Sequence, residues 1–220
     1  MRHDRIPMRP LVFAPLAWLK LQFLCHAGPT EVGGFGLSHP DDPLYLEDIL
    51  VVRQRCTLAT VGFDDGSVAD LFDDMADRGI SPGRFARIWL HTHPGASVAP
   101  SGTDEETFAR VFGGCDWAIM AILGRTGKTS ARLRFNAGPG GALEIPTAVD
   151  WAAWPALAGE SMLTTKIADW RHEYDTLIEI LRIRHEDDPR ARSPFDDARS
   201  LGAPAIEFPH PLLGGLHEIF

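Results

Sequence analysis

Cysteine is scarce in this sequence. Only Cys25, Cys56 and Cys115 occur among 220 residues, and no two of them form a C-x-x-C pair. An odd number of widely separated cysteines supports neither a disulfide framework nor a cysteine-based zinc knuckle. The cysteine pattern therefore favours a protein of a reducing, cytoplasmic compartment.

Long apolar runs are also missing, so we expect no membrane span. The longest N-terminal run, LVFAPLAWL at residues 11–19, follows three arginines and superficially resembles a secretory signal peptide. Pro15 interrupts this run, and Lys20 and Gln22 close it. The pattern favours an amphipathic helix over residues 15–24 with proline in its first turn.

Positive charge is in short supply. Lysine and arginine together number 21 against 30 aspartates and glutamates, which gives a formal net charge of -9. Nucleic acids and anionic membranes bind dense basic surfaces, so neither is expected as the main partner. The hydrophobic share of 45% is that of a globular protein, and 220 residues provide one main domain with an extension.

Hydrophobic periodicity predicts a mixed α/β domain over residues 1–150. Strands are predicted at residues 31–37, 44–52, 57–63, 85–91, 117–123, 130–135 and 143–145. Helical spacing follows Ser67 as a cap, and a second helix is predicted where Thr103 and Glu106 have the spacing of a capping box. Strands and helices that alternate in this way are typical of α/β or α+β proteins.

A second region is predicted over residues 151–220. Apolar residues at helical spacing from Ile167 to Leu181 indicate one long amphipathic helix. The segment beyond that helix is rich in proline and charge and has no clear period, which indicates an extended tail.

The sequence HTHPGASVAPSGTD at residues 91–104 combines three metal-ligand side chains. His91 and His93 are two residues apart, so their imidazoles point to the same side of a strand. Asp104 lies in the first turn of the next predicted helix, where the helix dipole favours a carboxylate. Two imidazoles and one carboxylate leave the fourth position of a Zn²⁺ site open, which is the catalytic rather than the structural arrangement.

A hydrolytic metal site also needs a proton carrier and a donor for the oxyanion. Glu31, which opens a predicted strand, is the candidate general acid/base. Ser101, three residues before Asp104, can present a hydroxyl to an attacked carbonyl. The alternatives are a surface pair or a hydrogen-bonded, purely structural pair for the two histidines, and a solvent-facing glutamate at a strand edge.

Together these residues resemble the motif of the JAMM (MPN-plus, or JAB-type) zinc metalloproteases, which is an upstream glutamate followed by H-x-H, seven residues and S-x-x-D. Here Glu31 precedes His91-Thr92-His93, the segment PGASVAP and Ser101-Gly102-Thr103-Asp104. The resemblance also covers the order of elements over about residues 10–145. It points to the shorter, prokaryotic-type, deubiquitinase-like members of that family.

The resemblance implies a curved mixed β-sheet flanked by helices, related to the cytidine deaminases. It also implies that His91, His93 and Asp104 bind zinc, that Glu31 is the general acid/base and that Ser101 contacts the oxyanion. The implied activity is hydrolysis of the bond after the C-terminal Gly-Gly of a ubiquitin-like modifier, in deconjugation or in precursor processing. Enzymes that activate and conjugate the modifier are then expected partners.

Three alternatives stay open for the activity. One is processing of a sulfur-carrier protein, and a second is a non-catalytic scaffold that binds a modifier. A deaminase-like hydrolase of small molecules is the third, although the H-x-E and P-C-x-x-C pattern of the deaminases is missing. The segment LLGG at residues 212–215 resembles a modifier's cleavage junction and suggests a pseudo-substrate, but a plain Gly-Gly turn is the simpler interpretation.

Overall fold

The computed structural model describes residues 8–154 and 160–181. The strands are β1 Leu11–Phe13, β2 Gly33–His39, β3 Asp42–Leu50, β4 Gln54–Cys56, β5 Val61–Phe63, β6 Ile88–His93, β7 Trp117–Gly124, β8 Thr129–Phe135, β9 Gly141–Glu144, β10 Thr147–Val149 and β11 Ile178–Ile180. The helices are α1 Pro15–His26, α2 Asp65–Asp77, α3 Pro82–Phe85, α4 Gly102–Phe112 and α5 Glu160–Leu177. This mixture of strands and helices confirms the predicted α/β class. The predicted tail, with its LLGG segment, lies outside the described residues.

Eight strands form one mixed sheet in the order β10-β1-β3-β2-β6-β7-β8-β9. Strand β1 is parallel to both of its neighbours, and β6 is parallel to β7. Although β9 and β10 lie at opposite ends of this order, only Ile145 and Pro146 separate them in the chain. The Ile145 N–H donates to the Ala131 carbonyl of β8 at 2.9 Å, and the side-chain oxygens of Thr129 and Thr147 are 2.7 Å apart. The sheet therefore curls until its two edges meet.

Helix α1 covers one face of the sheet, and α4 covers the other. Contacts link α1 to β3, β6 and β7, and to α5 on its outer side. The buried Lys20 of α1 forms an ion pair with Glu173 of α5 at 2.8 Å, so its charge is compensated. A core cluster of Phe35, Trp89, Phe108, Phe112, Ala118, Met120 and Ile122 fills the space between the sheet and α4. The cluster includes Trp89 of β6 and lies on the same side of the sheet as α4.

A second, smaller sheet has the order β11-β4-β5. The strand predicted at residues 57–63 was therefore wrong in its first half. Residues 57–60 form a turn in which the Thr57 N–H donates to the Thr60 carbonyl at 3.0 Å, and β5 begins only after it. Gln54 and Cys56 of β4 are buried, so β4 is fixed by packing rather than by a long alternating pattern.

The long helix predicted through Leu181 was also wrong at its C-terminal end. Helix α5 ends at Leu177, and residues 178–180 pair in parallel with β4. The β-branched isoleucines of this segment suit a strand. The pairing also gives hydrogen-bond partners to main-chain groups of β4 that would otherwise have none. The boundary predicted near residue 150 stays a prediction.

None of the helices in the described part of the chain combines the length and the apolar character needed to cross a bilayer.

Candidate metal centre

Strand β6 carries both histidines and is buried along its whole length between β2 and β7. Side chains alternate between the two faces of a strand, so Trp89, His91 and His93 lie on the same face of β6. The sequence predicts this arrangement for the two histidines. The Trp89 indole stacks on the His91 imidazole with 4.4 Å between ring centroids, so the tryptophan lies beneath the histidines as a rigid support. Because β6 is hydrogen-bonded on both sides, little freedom remains in the direction of either imidazole.

Helix α4 places Asp104 opposite the histidines through its N-terminal cap. Ser101 is the cap residue, and its Oγ accepts a hydrogen bond from the Asp104 N–H at 3.2 Å. In return the Ser101 N–H donates to Asp104 Oδ2 at 2.7 Å. The capping box predicted at Thr103 and Glu106 was therefore wrong. Both pairs have the required spacing, but only the buried Asp104 needs the cap to satisfy its carboxylate.

The three side chains converge on one point. His91 Nε2 lies 3.4 Å from Asp104 Oδ1, and His93 Nε2 lies 3.7 Å from Asp104 Oδ2. One ligand atom from each residue can be chosen so that all lie within 4.8 Å of one another. Ligands about 2.0–2.1 Å from a tetrahedral zinc are separated by roughly 3.3 Å, so the spacing fits donors that share one cation.

Hydrogen bonding supports the same conclusion. Among the described residues, neither His91 Nε2 nor His93 Nε2 has a partner of hydrogen-bonding geometry, although both atoms are buried. Unsatisfied buried donors or acceptors cost free energy, and a cation bound between them would satisfy both nitrogens at once. The buried group of His91, His93 and Asp104 could therefore bind a metal ion.

The loop after β6 orients His93. The His93 Nδ1 donates to the Ser97 carbonyl at 2.9 Å, since a carbonyl oxygen can only accept. This bond leaves Nε2 as the ring nitrogen directed at the centre. The loop is in turn held against the end of β7, because the Arg125 N–H donates to the Gly95 carbonyl at 2.9 Å. A Cβ on Gly124 would lie 3.0 Å from Val98, so glycine leaves room for the close approach of this loop.

Glu31 lies just before β2 and beside the three candidate ligand side chains. Its Oε1 is 3.6 Å from His93 Nε2, and the residue is 5% exposed. Glu31 thus does not face solvent. Its other carboxylate oxygen is buried and has no hydrogen-bond partner among the described residues. An oxygen without a partner can hold the proton of the carboxyl group or accept a hydrogen bond.

Burial and mutual charge shift the pKa values of this group. Burial raises the pKa of Glu31 to about 7, against the attraction of His93 and with the help of Asp104. Burial acts in the same direction on Asp104, but the two adjacent histidines outweigh it and hold the pKa of Asp104 well below its usual range. Asp104 also raises the pKa of His93, whereas burial lowers the pKa of His91. Burial therefore favours the protonated form of Glu31, whereas the two histidines favour the ionised form of Asp104.

Ser101 lies at the exposed rim of the centre. Because its Oγ accepts from the Asp104 N–H, its own hydroxyl hydrogen remains available for another acceptor. The structure thus brings together His91, His93, Asp104 and Glu31, and it joins Ser101 to them through the helix cap.

Sequence reasoning missed two buried polar residues behind the centre, Thr92 and Gln54. Thr92 lies between the two histidines of the motif, and that position was a weak indication that it belongs to the centre. Gln54 lies in an unremarkable segment, and no spacing links it to the motif.

No protein-family model matches this chain, and no curated protein matches it in sequence. The geometry of the centre and the motif itself therefore remain the indications of function.

Proposed function

We propose that this protein is a JAMM-type, zinc-dependent isopeptidase or peptidase that cleaves the bond after the C-terminal Gly-Gly of a ubiquitin-like modifier. One observation carries the proposal, namely the convergence of His91, His93 and Asp104 with Glu31 beside them. These are the residues that the H-x-H-x7-S-x-x-D motif assigns to such an enzyme. The curled sheet with helices on both faces agrees with the architecture expected for that family.

Zinc is the metal that this donor set favours for hydrolysis. Two imidazole nitrogens and one carboxylate oxygen are one of the ligand sets found at catalytic zinc sites, and they leave one position open. When bound, zinc supplies Lewis acidity toward a water molecule and toward a carbonyl oxygen. The same donors also bind iron(II) in oxygenases, so the identity of the metal is part of the test.

Glu31 has the position of a proton carrier. Its buried carboxylate lies 3.6 Å from His93 Nε2, beside the proposed metal site, and can take a proton from water and later deliver it to a leaving amine. Ser101, whose hydroxyl hydrogen is uncommitted, can donate to the oxygen of the attacked carbonyl. The N-terminus of α4 lies at the same place and favours negative charge there.

The substrate class depends on the motif resemblance. Deconjugation, precursor processing and cleavage of a sulfur-carrier precursor all break a carbonyl–nitrogen bond beyond Gly-Gly, and the centre would serve each of them. A non-catalytic scaffold has weaker support, because a scaffold needs neither a complete ligand group nor a buried carboxylate beside it. Cytoplasmic location and enzymes of a modifier pathway as partners remain part of the proposal.

The test uses the full-length purified protein. Elemental analysis should find zinc at about one ion per chain, as expected for a single three-ligand site. The zinc-loaded protein is then incubated with ubiquitin-like proteins and sulfur carriers that are extended beyond Gly-Gly, and mass spectrometry locates the cut. Cleavage after the second glycine that Glu31→Gln abolishes supports the proposal. Iron in place of zinc, or zinc-loaded protein that cuts none of these substrates, would contradict it.

A further inference from the structure

The segment of residues 31–33, here the Glu31 segment, is held by hydrogen bonds on both sides. Toward β6, the Val32 N–H donates to Thr92 Oγ1 at 3.0 Å, and the Thr92 N–H donates to the Val32 carbonyl at 2.9 Å. On the opposite side, the Glu31 N–H donates to the Thr57 carbonyl at 3.0 Å. Successive residues of an extended segment point their main-chain groups to opposite sides, so each side needs its own partner.

Gln54 supplies the partner for Gly33. Its Oε1 accepts from the Gly33 N–H at 2.8 Å, and its Nε2 donates to the Gly33 carbonyl at 2.9 Å. A third bond runs from Nε2 to the Val52 carbonyl at 3.0 Å. Both main-chain groups of Gly33 are therefore satisfied by one side chain, which is 1% exposed.

This arrangement is needed because β3 leaves the sheet early. The last residue of β3 to pair with β2 is Leu50, opposite Phe35. Beyond that point, no strand of the described residues pairs with the Glu31 segment on this side, and the Gln54 amide takes the place of a paired strand at Gly33. Only an amide side chain offers a donor and an acceptor together in the geometry of a peptide group.

The anchored glycine is close to the metal centre. Gly33 lies directly opposite His91 in the β2–β6 ladder. A Cβ on Gly33 would come within 2.9 Å of Val61 and 3.0 Å of Phe63, so the small sheet packs directly on this position. The small sheet therefore holds the Glu31 segment from outside, while β6 holds it from inside.

We propose that Gln54 is a positioning residue that holds the Glu31 carboxylate at the metal centre. This inference rests on the proposed function. The ligands His91 and His93 belong to β6 and Asp104 belongs to α4, and none of their hydrogen bonds involves Gln54. Loss of the Gln54 amide leaves the Glu31 segment anchored mainly to β6. Glu31 then moves relative to His93 while the metal ligands stay in place.

The test compares two identical substitutions in full-length, zinc-loaded protein. Gln54→Met keeps an unbranched side chain of similar length and removes all four hydrogen bonds of the amide, including the one that Oε1 accepts from Cys56 Sγ at 3.3 Å. Gln22→Met makes the same change at another buried glutamine, which has no hydrogen bond to the Glu31 segment among the described residues. Both variants should retain zinc as the wild type does. Gln54→Met should lower kcat by about 10-fold or more with little change in KM, since small displacements of catalytic groups are costly.

A double mutant separates positioning from general damage. In the Glu31→Gln background, Gln54→Met should lower kcat no further, because the group that it positions is already inactive. A purely structural role predicts that the two effects multiply. If Gln54→Met does not fold, Gln54→Glu replaces it, since an ionised carboxylate still accepts from the Gly33 N–H but cannot donate to the Gly33 carbonyl.

Two readouts do not depend on activity. Hydrogen exchange of the Gly33 amide should be faster in Gln54→Met than in Gln22→Met. A crystal structure of zinc-loaded Gln54→Met should show the Glu31 carboxylate displaced from His93. If wild-type protein hydrolyses no substrate, the proposed function fails, and these two readouts still decide the role of Gln54. Unchanged Gly33 exchange with Glu31 in place, equal kcat in the two methionine variants, or loss of zinc from Gln54→Met would overturn the inference.

Discussion

Helices α2 and α4 begin with the same two residue types in opposite order. Asp64 caps α2, and its side chain accepts a hydrogen bond from the Ser67 N–H at 2.9 Å. Ser101 caps α4, and Asp104 stands at the third helical position. In α2 the carboxylate is exposed, whereas in α4 it is 4% exposed and faces two imidazoles.

The difference shows that a capping pair does not by itself indicate a functional site. Both pairs satisfy N–H groups at a helix start, which is a local requirement of any helix. Asp104 gains a further role only because α4 follows β6, whose last residues present two buried histidines. Within the cap, Asp104 Oδ2 accepts a hydrogen bond from the Ser101 N–H. The other oxygen, Oδ1, lies toward His91. The surface cap Asp64 belongs to no such group of ligand side chains among the described residues.

The two caps should differ most when each aspartate is replaced by alanine. Asp104→Ala should lose most of the bound zinc, because one of three protein ligands disappears. Asp64→Ala should keep zinc at the wild-type level. Elemental analysis of both purified variants measures the contrast, and His91→Ala should behave like Asp104→Ala. Full zinc content in Asp104→Ala would exclude this residue as a ligand.

A substitution at Glu31 tests whether a carboxylate beside the centre takes part in catalysis without binding the metal. Glu31→Gln should retain zinc and substrate binding but lower kcat by about 10²-fold or more, as expected for loss of a general base. Steady-state kinetics with metal analysis on the same sample measure both effects. Near wild-type turnover in zinc-loaded Glu31→Gln would assign the proton transfer to another group.

A substitution at Ser101 can distinguish its role as a helix cap from the role of its hydroxyl in catalysis. Glycine at a cap position costs only a few tenths of a kcal/mol relative to serine, so Ser101→Gly should remain folded. Without the hydroxyl, kcat should fall by about 10²-fold, as it does on removal of an oxyanion donor. Thermal unfolding and kinetics are measured together. A loss of stability without a loss of kcat would leave Ser101 as a cap only.

The smallest effect is expected at the surface cap. Asp64→Ala should lower the free energy of unfolding by about 1 kcal/mol, since the Ser67 N–H loses its acceptor. Zinc content and kcat should not change. Asp64→Ser keeps a capping oxygen and is the control that should restore stability in denaturant unfolding. A change of kcat in Asp64→Ala at equal zinc content would contradict the assignment of this cap as purely structural.

Elements with a strong local pattern were predicted well. Helix α1 was recognised by its proline start, and the β7–β8 hairpin by apolar runs on either side of a glycine turn, where Gly127 adopts a positive φ of 79°. The three-residue strands β1, β4, β10 and β11 were not predicted. A strand of that length is too short to show a period, and its neighbours in the sheet define it.

The candidate ligand group of His91, His93 and Asp104 follows from local rules that act within a few residues. Alternation along β6 places His91 and His93 on one face, and the S-x-x-D spacing places Asp104 in the first turn of α4. Even so, the neighbouring Thr103 and Glu106 satisfy the same spacing, and only burial of Asp104 selects the register of the cap.

The position of Glu31 depends on the tertiary structure. Its distance of 3.6 Å from His93 results from antiparallel pairing of β2 with β6, and these strands are far apart in the chain. The role of Gln54 depends in addition on where β3 leaves the sheet and on how the small sheet packs against Gly33. Non-local hydrogen bonds of this kind leave no periodic trace in a sequence, because their partners are set by the path of the whole chain rather than by neighbouring residues.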